Sequence, residues 1–302
     1  MNQNFYDKLN NVIAKDSILT DEPMSRHTTF RVGGPADFFV TPKAKEEVRD
    51  VIRICKEAGM PYYIIGNGSN LLVSDAGYRG VIVQIYKEMN EVKVEGDLVK
   101  AQAGALLSGI AAKALGAELS GFEFASGIPG TIGGACVMNA GAYGGEMKDV
   151  LESVTVLTGE GKIIELGRNE LELGYRTSVI AKKGYIVLGA VLKLERGDGE
   201  KIKTYMDELK EKRVTKQPLE YPSAGSVFKR PVGYFAGTMI EQCGLKGKTV
   251  GGAMVSPKHA GFIVNTGDAT CQDVLDLISL IQTTVKEQTG IMLECEIRAI
   301  GG

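Results

Sequence analysis

The chain has 302 residues, 44% of them hydrophobic and 24% charged, with a net charge of -2, and its length predicts two or three domains. The charge balance argues against a nucleic-acid binder with a broadly basic face, and no apolar run predicts a membrane helix or a signal peptide. Glycine is the outlier, because its 39 residues make up about 13% of the chain against a usual ~7%, without the G-X-Y period of collagen.

The first half of the chain alternates between helix and strand patterns. Residues 42–58 carry an amphipathic stripe of Val48, Val51, Ile52 and Cys55, for which Thr41 is the predicted N-cap and Gly59 the C-terminal stop. Further segments follow in chain order: a buried strand at 62–65 ending at Gly66, strands at 81–85 and 91–94, a helix at 104–115, and strands at 150–157, 162–166 and 185–194.

The second half begins after a predicted linker at 196–200, which has two glycines and three charged residues. A helical stripe follows at 202–209. The strongest helix pattern spans 271–289 and ends at Gly290. Residues 291–300 then alternate between apolar and polar side chains, which predicts a final strand.

The glycine excess is concentrated in three places: 31–34, 66–70 and 121–145. Glycine lets another group approach the backbone closely, and successive N–H groups in such loops form anion-binding concavities. Because two of the clusters are also rich in Ser, Thr and Asn, they favour a diphosphate ligand over simple tight turns. Neither the Rossmann spacing nor a P-loop Gly-Lys-Ser/Thr is present, so we expect a cradle built from loop amides.

Six motifs in order identify a family resemblance. They are Gly66-Asn-Gly-Ser-Asn-Leu71, Ser126-Gly-Ile-Pro-Gly-Thr-Ile-Gly-Gly134 with Met138-Asn-Ala-Gly-Ala-Tyr-Gly144, Tyr175-Arg176-x-Ser178, Gly225-Ser226-x-Phe228-Lys229, Lys258-His-Ala-Gly-Phe262 and Glu294-x-Glu296-x-Arg298. Together they resemble the UDP-N-acetylenolpyruvoylglucosamine reductase (MurB) family of peptidoglycan synthesis, from about residue 28 to 301. Only eight residues separate Arg176 from Gly184, which resembles the shorter subtype of that family.

The resemblance implies an α+β flavoprotein: a two-lobed FAD-binding module of the PCMH type and a C-terminal α+β substrate-binding domain. The implied domains are an FAD-binding region at 1–195, with lobes at about 1–86 and 87–195, a substrate-binding domain at 196–292, and a terminal strand at 293–302 that returns toward the flavin. The implied reaction uses FAD and NADPH to reduce the enolpyruvyl ether of UDP-N-acetylglucosamine to UDP-N-acetylmuramate. It implies a cytoplasmic enzyme with small-molecule partners only.

Three residues carry the chemistry that the resemblance implies. A guanidinium binds a carboxylate through two hydrogen bonds, so Arg176 would stabilise the enolate that forms on the substrate. Ser226 is the general acid, with Lys229 and Arg230 nearby to favour its loss of a proton. Glu296 acts beside Arg176, although physical reasoning alone does not separate it from Glu294.

The expected binding residues fall into two groups. FAD is expected to contact the two glycine-rich loops, at Gly66, Asn67, Gly68, Ser69, Asn70, Ser126, Gly127, Gly130, Thr131 and Gly133. Substrate is expected to contact Tyr175, Lys216, Lys229 and Arg230. Longer family members have an asparagine where this chain has Arg230, so the diphosphate contact at that position stays open.

Metal and disulfide frameworks are not expected. The five cysteines are scattered without a C-x-x-C pair, which predicts reduced thiols in a cytosolic protein. His27 and His259 form no metal-binding motif, and His259 is interpreted as structural. Two alternatives remain: an FAD-linked hydroxy-acid oxidase or dehydrogenase with the same flavin module, and a non-enzymatic nucleotide-binding protein.

Overall fold

A computed structural model describes residues 2–302 and contains both helices and sheets throughout. The helices are α1 Gln3–Asn10, α2 Lys45–Glu57, α3 Leu107–Gly116, α4 Ile132–Met138, α5 Met147–Val150, α6 Val179–Lys183, α7 Gly199–Lys216, α8 Ala236–Gln242 and α9 Cys271–Thr289. The strands are β1 Ile18–Pro23, β2 Pro35–Val40, β3 Tyr62–Ile65, β4 Leu71–Val73, β5 Tyr78–Gln84, β6 Val92–Glu95, β7 Leu98–Gln102, β8 Leu119–Ser120, β9 Gly141–Ala142, β10 Gly145–Glu146, β11 Leu151–Leu157, β12 Ile163–Gly167, β13 Ile186–Lys193, β14 Glu195–Arg196, β15 Ser223–Ser226, β16 Thr249–Val250, β17 Ala253–Val255, β18 Phe262–Asn265 and β19 Arg298–Ile300.

The chain folds into two compact units. Unit 1 comprises the chain through Leu19, Phe38–Asn67 and Gly80–Arg213, and unit 2 comprises Thr20–Asp37, Gly68–Arg79 and Val214–Gly302. Each unit buries a separate hydrophobic cluster of its own residues. The last unit boundary lies between Arg213 and Val214, within α7. The segment predicted as a linker at 196–200 contains the last residue of β14 and the start of α7.

Unit 1 contains a five-stranded antiparallel sheet in the order β12-β11-β13-β7-β6. Helix α4 packs on β13 of this sheet, and its first-turn N–H groups at Ile132 and Gly133 donate to the carbonyls of Ala105 and Ala103. The first sheet along the chain has the order β1-β2-β5-β3, in which β3 and β5 are parallel. Strand β3 ends immediately before Gly66, so this sheet positions the first donor-rich loop.

Unit 2 contains an antiparallel sheet in the order β15-β18-β17-β16, with α9 packed against β16 and β17. Helix α9 begins with a capping box between Thr270 and Asp273 and ends at Gly290 in the left-handed conformation. The last strand, β19, pairs in parallel with β4. The C-terminus is therefore held by a strand that follows the 66–70 loop directly.

Most predicted elements are confirmed, and the errors lie at their ends. Helix α2 buries the predicted stripe, but its N-cap is Ala44 and not Thr41, because residues 41–43 stay outside the helix. The alternation at 291–297 buries Leu293 and Ile297 as predicted, yet regular strand pairing covers only β19. Helices, mainly antiparallel sheets and two short parallel strand pairs together confirm the predicted α+β class.

Residues 2–302 contain neither a membrane-spanning helix nor a cluster of metal-binding side chains. Among residues 2–302, none of the helices has the length and apolar character needed to span a membrane. The same residues contain no group of three or more His, Cys, Asp or Glu side chains placed to hold a metal ion.

Candidate active site

The two glycine-rich loops predicted to bind the cofactor meet at Gly66 and Thr131 in unit 1. A Cβ built on Gly66 would lie 2.3 Å from Thr131 Oγ1, so any other residue here would force one of the two loops to shift. Thr131 is buried and caps α4, where its hydroxyl accepts from the N–H of Gly134. The sequence pattern alone did not show that these loops touch, because 64 positions separate them along the chain.

A pocket of about 110 Å³ opens beside this contact. Gly66, Thr131, Gly133 and Gly134 form its polar side, and Gly133 is itself packed so closely that a Cβ would lie 3.0 Å from the carbonyl oxygen of Ala103. The remaining wall is apolar and is formed by Ile64, Ile65, Ile85, Ala103, Val137, Tyr185, Ile186 and Val187. Such a pocket suits an apolar or aromatic group that is attached to a polar one.

Arg213 lies against the start of the second loop and was not found by sequence reasoning. A Cβ on Gly127 would be 3.2 Å from both Cδ and Nη1 of this arginine. Burial lowers the pKa of the Arg213 guanidinium, and no carboxylate of unit 1 pairs with it among the described residues. A half-buried cation without an acidic partner is a natural site for an anionic ligand group.

Arg176 sits in a tight turn with an unusual backbone conformation. Gly174 and Thr177 exchange backbone hydrogen bonds of 3.0 and 3.3 Å across the turn, and Arg176 has φ +54°. This conformation costs a non-glycine residue about 1–3 kcal/mol and persists only where its surroundings impose it. The guanidinium carbon lies 5.2 Å from the centre of the Tyr175 ring, which is 52% exposed.

Asn139, in the second glycine-rich segment, holds this turn in place. Its side chain is fully buried and donates to the carbonyl of Gly174 at 3.0 Å and to Glu146 Oε2 at 2.9 Å, while its own Oδ1 accepts from the N–H of Lys148. Ser178 provides a second anchor, because its buried hydroxyl donates to the carbonyl of Val137 at 2.6 Å. The Tyr-Arg-x-Ser motif is thus fixed to the end of α4.

In unit 2, the first loop continues through Gly68 and Asn70. Gly68 has φ +64°, and a Cβ there would lie 2.1 Å from the carbonyl oxygen of His27, so only glycine fits. The N–H groups of Gly68, Ser69 and Asn70 donate no hydrogen bond to any described residue of unit 2. Three neighbouring amides without acceptors are suited to an anion.

Ser226 ends β15 at a bulge. Ser223 pairs with Val264 and Ser226 with Phe262, so the strand holds one more residue than its partner, and Gly225 takes up the irregularity at φ +76°. The neighbouring N–H of Val227 donates to the carbonyl of Gly261 at 2.9 Å. The half-buried hydroxyl of Ser226 is therefore held on a strand end rather than on a free loop.

The structure brings Glu296 beside Ser226. The N–H of Glu296 donates to the carbonyl of Val227 at 2.7 Å, and Asn70 both donates through Nδ2 to the carbonyl of Glu296 and accepts from the N–H of Arg298. Glu296 is half-buried, whereas Glu294 is exposed. Two predicted catalytic residues thus lie on neighbouring backbone segments of unit 2, and Asn70 from a predicted cofactor loop holds the segment of Glu296.

The predicted substrate-binding residues differ in how they are held. Lys229 Nζ lies 2.6 Å from Glu294 Oε1. The guanidinium of Arg230 stacks 3.9 Å from the centre of the Phe235 ring. Lys216 is exposed at the end of α7, and the next residue, Gln217, has a buried Oε1 without a hydrogen-bond partner among the described residues.

The remaining predicted cofactor residues lie along the same loops. Asn67 joins Gly66 to Gly68, Ser126 follows a short 3-10 helix and donates its N–H to the carbonyl of Glu123, and the carbonyl of Gly130 accepts from the N–H of Leu107. Arg213 and Gln217 are two polar residues that sequence reasoning missed, in addition to the structural role of Asn139. Both occur at the end of a charged helical pattern with no loop motif to mark them.

Comparison with known proteins shows similarity over the whole chain. Residues 36–167 match a family model described as an FAD binding domain, and residues 217–300 match one described as the UDP-N-acetylenolpyruvoylglucosamine reductase C-terminal domain. Proteins named UDP-N-acetylenolpyruvoylglucosamine reductase from Clostridioides difficile (strain 630) and Alkaliphilus oremlandii (strain OhILAs) are 51% and 54% identical, covering 99% and 98% of this chain and 99% and 97% of their own lengths. The crystal structure of the enzyme of that name from Thermus caldophilus has 38% identity and a TM-score of 0.81, over 94% of this chain and 98% of its own.

We predict that Gly66→Ala destabilises unit 1 by about 1–3 kcal/mol, the usual effect of overpacking, because the new methyl group collides with Thr131. Denaturant unfolding followed by circular dichroism measures the change. Gly109→Ala is the control, since a Cβ at that helical position meets open space. Adding Thr131→Ala to Gly66→Ala removes the colliding atoms and should recover part of the loss. Equal stabilities for the two single variants would contradict the close contact.

Proposed function

The chain belongs to the UDP-N-acetylenolpyruvoylglucosamine reductase family, and we propose that it reduces the enolpyruvyl ether of UDP-N-acetylglucosamine to UDP-N-acetylmuramate with FAD as cofactor and NADPH as electron donor. The observation that supports this most strongly is the identity to reductases over nearly the full length of both chains. The backbone bond from Glu296 to Val227, the residue after Ser226, supports the same reaction, since the proposal assigns Ser226 and Glu296 to one site.

The residues of the two loops fit FAD. The close contacts at Gly66 and Gly68 leave no space for side chains, the amides of Gly68, Ser69 and Asn70 suit a diphosphate, and the guanidinium of Arg213 has no acidic partner in its unit. FAD supplies the hydride when it is bound, since no amino-acid side chain delivers one. We propose that the predicted loop residues hold it and that Arg213 neutralises one of its phosphates.

Arg176 binds and polarises the substrate carboxylate in this proposal. The guanidinium stays charged and offers paired donors to both carboxylate oxygens, where negative charge collects as the enolate forms. The strained turn at φ +54° fixes the backbone of Arg176 before substrate arrives, which lowers the cost of orienting it. Tyr175, Lys216, Lys229 and Arg230 are proposed contacts for the rest of the substrate.

Ser226 donates a proton from Oγ to the carbon next to the carboxylate, which completes the reduction. The bulge at Gly225 and the bond from Val227 to Gly261 orient this hydroxyl. Glu296, held by Val227 and Asn70, positions the substrate at the same place. Lys229 reaches the substrate diphosphate only by exchanging its present partner Glu294.

We propose that the enzyme works in the cytoplasm on small molecules. The structure supports reduced thiols, because burial raises the pKa of Cys55 and of Cys136 to about 12 and so disfavours the thiolate needed for disulfide exchange. All five cysteines are free in the structure. We also propose that the chain is divided into an FAD-binding region at 1–195 and a substrate-binding domain at 196–292.

An anaerobic experiment tests the function. We expect the purified protein to show flavin absorbance near ~450 nm, NADPH to bleach it, and the enolpyruvyl UDP-sugar to restore it with formation of the lactyl ether. An FAD-linked hydroxy-acid dehydrogenase would instead be bleached by a hydroxy acid and not by NADPH. A colourless protein that takes up no FAD would contradict both readings.

Ser226→Ala should separate the two halves of the reaction. Loss of the proton donor is expected to slow product formation by about 10²–10⁴-fold and to leave bleaching by NADPH near the parental rate. Stopped-flow absorbance measures each half alone. Ser223→Ala, at the other end of β15, is the control and should affect neither half strongly. Product formation by Ser226→Ala at the parental rate would show that Ser226 is not the proton donor.

Arg213→Gln should weaken FAD binding by about 10–150-fold, the loss expected when a charged hydrogen bond worth about 1.5–3 kcal/mol is removed. Fluorescence titration of the deflavinated protein measures the dissociation constant without reference to activity. Arg53→Gln is the matched control, because Arg53 is exposed on α2 and pairs with Glu57. An unchanged dissociation constant in Arg213→Gln would show that this cation does not contact the cofactor.

A further inference from the structure

His259 lies in a turn that packs beside Ser226. Its ring is half-buried, meets the ring of Phe262 edge-on at 5.0 Å, and accepts the N–H of Gly261 at Nδ1, 3.1 Å away. The buried hydroxyl of Ser256 accepts the N–H of His259 and that of Lys258. His259 is therefore held at two points: its backbone N–H by Ser256 and its ring Nδ1 by Gly261.

Two glycines leave space for this ring, and neither has a positive φ that would demand glycine for its backbone. A Cβ on Gly237, in α8, would lie 3.1 Å from His259 Cε1. A Cβ on Gly261 would lie 3.0 Å from Cε1 and 3.1 Å from Nδ1 of the same ring. Close approach, and not backbone conformation, therefore explains glycine at both positions.

Gly261 touches the proposed proton donor from its other side. The same Cβ position is 3.1 Å from Ser226 Oγ, and the carbonyl of Gly261 accepts the N–H of Val227. The residue after it, Phe262, is the strand partner of Ser226. A displacement of Gly261 would thus move the backbone that follows Ser226 and change the space beside its hydroxyl.

We infer that His259 is a positioning residue for proton transfer, which holds Gly261 through Nδ1 so that the hydroxyl of Ser226 keeps its orientation and the space beside it stays open. This inference rests on the proposed function. The geometry requires Nδ1 without a proton, hence a neutral ring with its proton on Nε2. Burial lowers the pKa of His259, which favours this form, and the other charged groups acting on the ring are Lys246 and Glu241, themselves paired at 2.6 Å.

Three substitutions of His259 separate this role from simple packing. His259→Asn retains an acceptor, because Oδ1 occupies the place of Nδ1 in the side chain. His259→Phe retains the ring but has no acceptor, and His259→Gln carries its amide one bond farther out, so it serves as a second acceptor-displaced variant if the Phe variant does not fold. Thermal unfolding identifies which variants are folded.

We expect product formation by the Phe and Gln variants, measured in single turnover after reduction by NADPH, to fall by about 10–100-fold, since small displacements of reacting groups have effects of this size. The Asn variant should stay within about threefold of the parent. Bleaching by NADPH and the KM for the UDP-sugar should change little in any of them. Gly261→Ala should show the same selective loss, and Gly109→Ala, which meets open space, should not.

Parental product formation in the Phe and Gln variants, or a loss in Asn as large as in Gln, would overturn the inference. An equal loss in both half-reactions would also overturn it, since it would indicate a general structural role. These outcomes differ from failure of the proposed function, in which the unsubstituted protein itself forms no product from the UDP-sugar.

Discussion

The candidate site depends on glycine positions where other atoms lie closer to the backbone than a Cβ would permit. Gly66 brings the two donor-rich loops together, Gly68 seats one of them against residue 27, and Gly261 lets a strand turn pass beside Ser226. A methyl group would collide with Thr131 Oγ1 at Gly66 and with the carbonyl oxygen of residue 27 at Gly68, and at Gly261 it would press against the His259 ring and Ser226 Oγ. The unusual glycine content is therefore partly a record of how tightly the functional segments pack.

The sequence predicted those parts of the fold that depend on local pattern. The stripe of α2, the limits of α9 and the strand that ends at Gly66 follow from periodicity and end signals within a few residues. The predicted N-cap of α2 was wrong because Thr41, which precedes a proline, matches the signals of a helix start as well as the true N-cap, Ala44, does. The final strand is shorter than the alternating pattern at 291–300 predicted, since alternation of apolar and polar residues indicates burial and not strand hydrogen bonding.

The site was predictable as a set of motifs but not as an arrangement. Motif order named Ser226 and Glu296, yet only the pairing of Val227 with Glu296 shows how they meet. Sequence reasoning missed Arg213 because the lack of an acidic partner leaves no local pattern. It missed the hydrogen bond from Asn139 to Gly174 because the two residues are 35 positions apart. Glu294 and Glu296 were equivalent by pattern, and the structure distinguishes them by burial, since Glu294 is exposed and Glu296 is half-buried.

The parallel pairing of β19 with β4 also determines when unit 2 can assemble during synthesis. Its residues come from the first 79 positions and from Val214–Gly302, and its sheet edge at β4 waits for Arg298–Ile300. A chain emerging from the ribosome can begin to bury the core of unit 1 while residues 20–37 and 68–79 still lack the partners that Val214–Gly302 provides. Contacts so distant along the chain form slowly. Strand β4 therefore gains this pairing only after Arg298–Ile300 have been synthesised, and a chain truncated before residue 298 would leave β4 without β19.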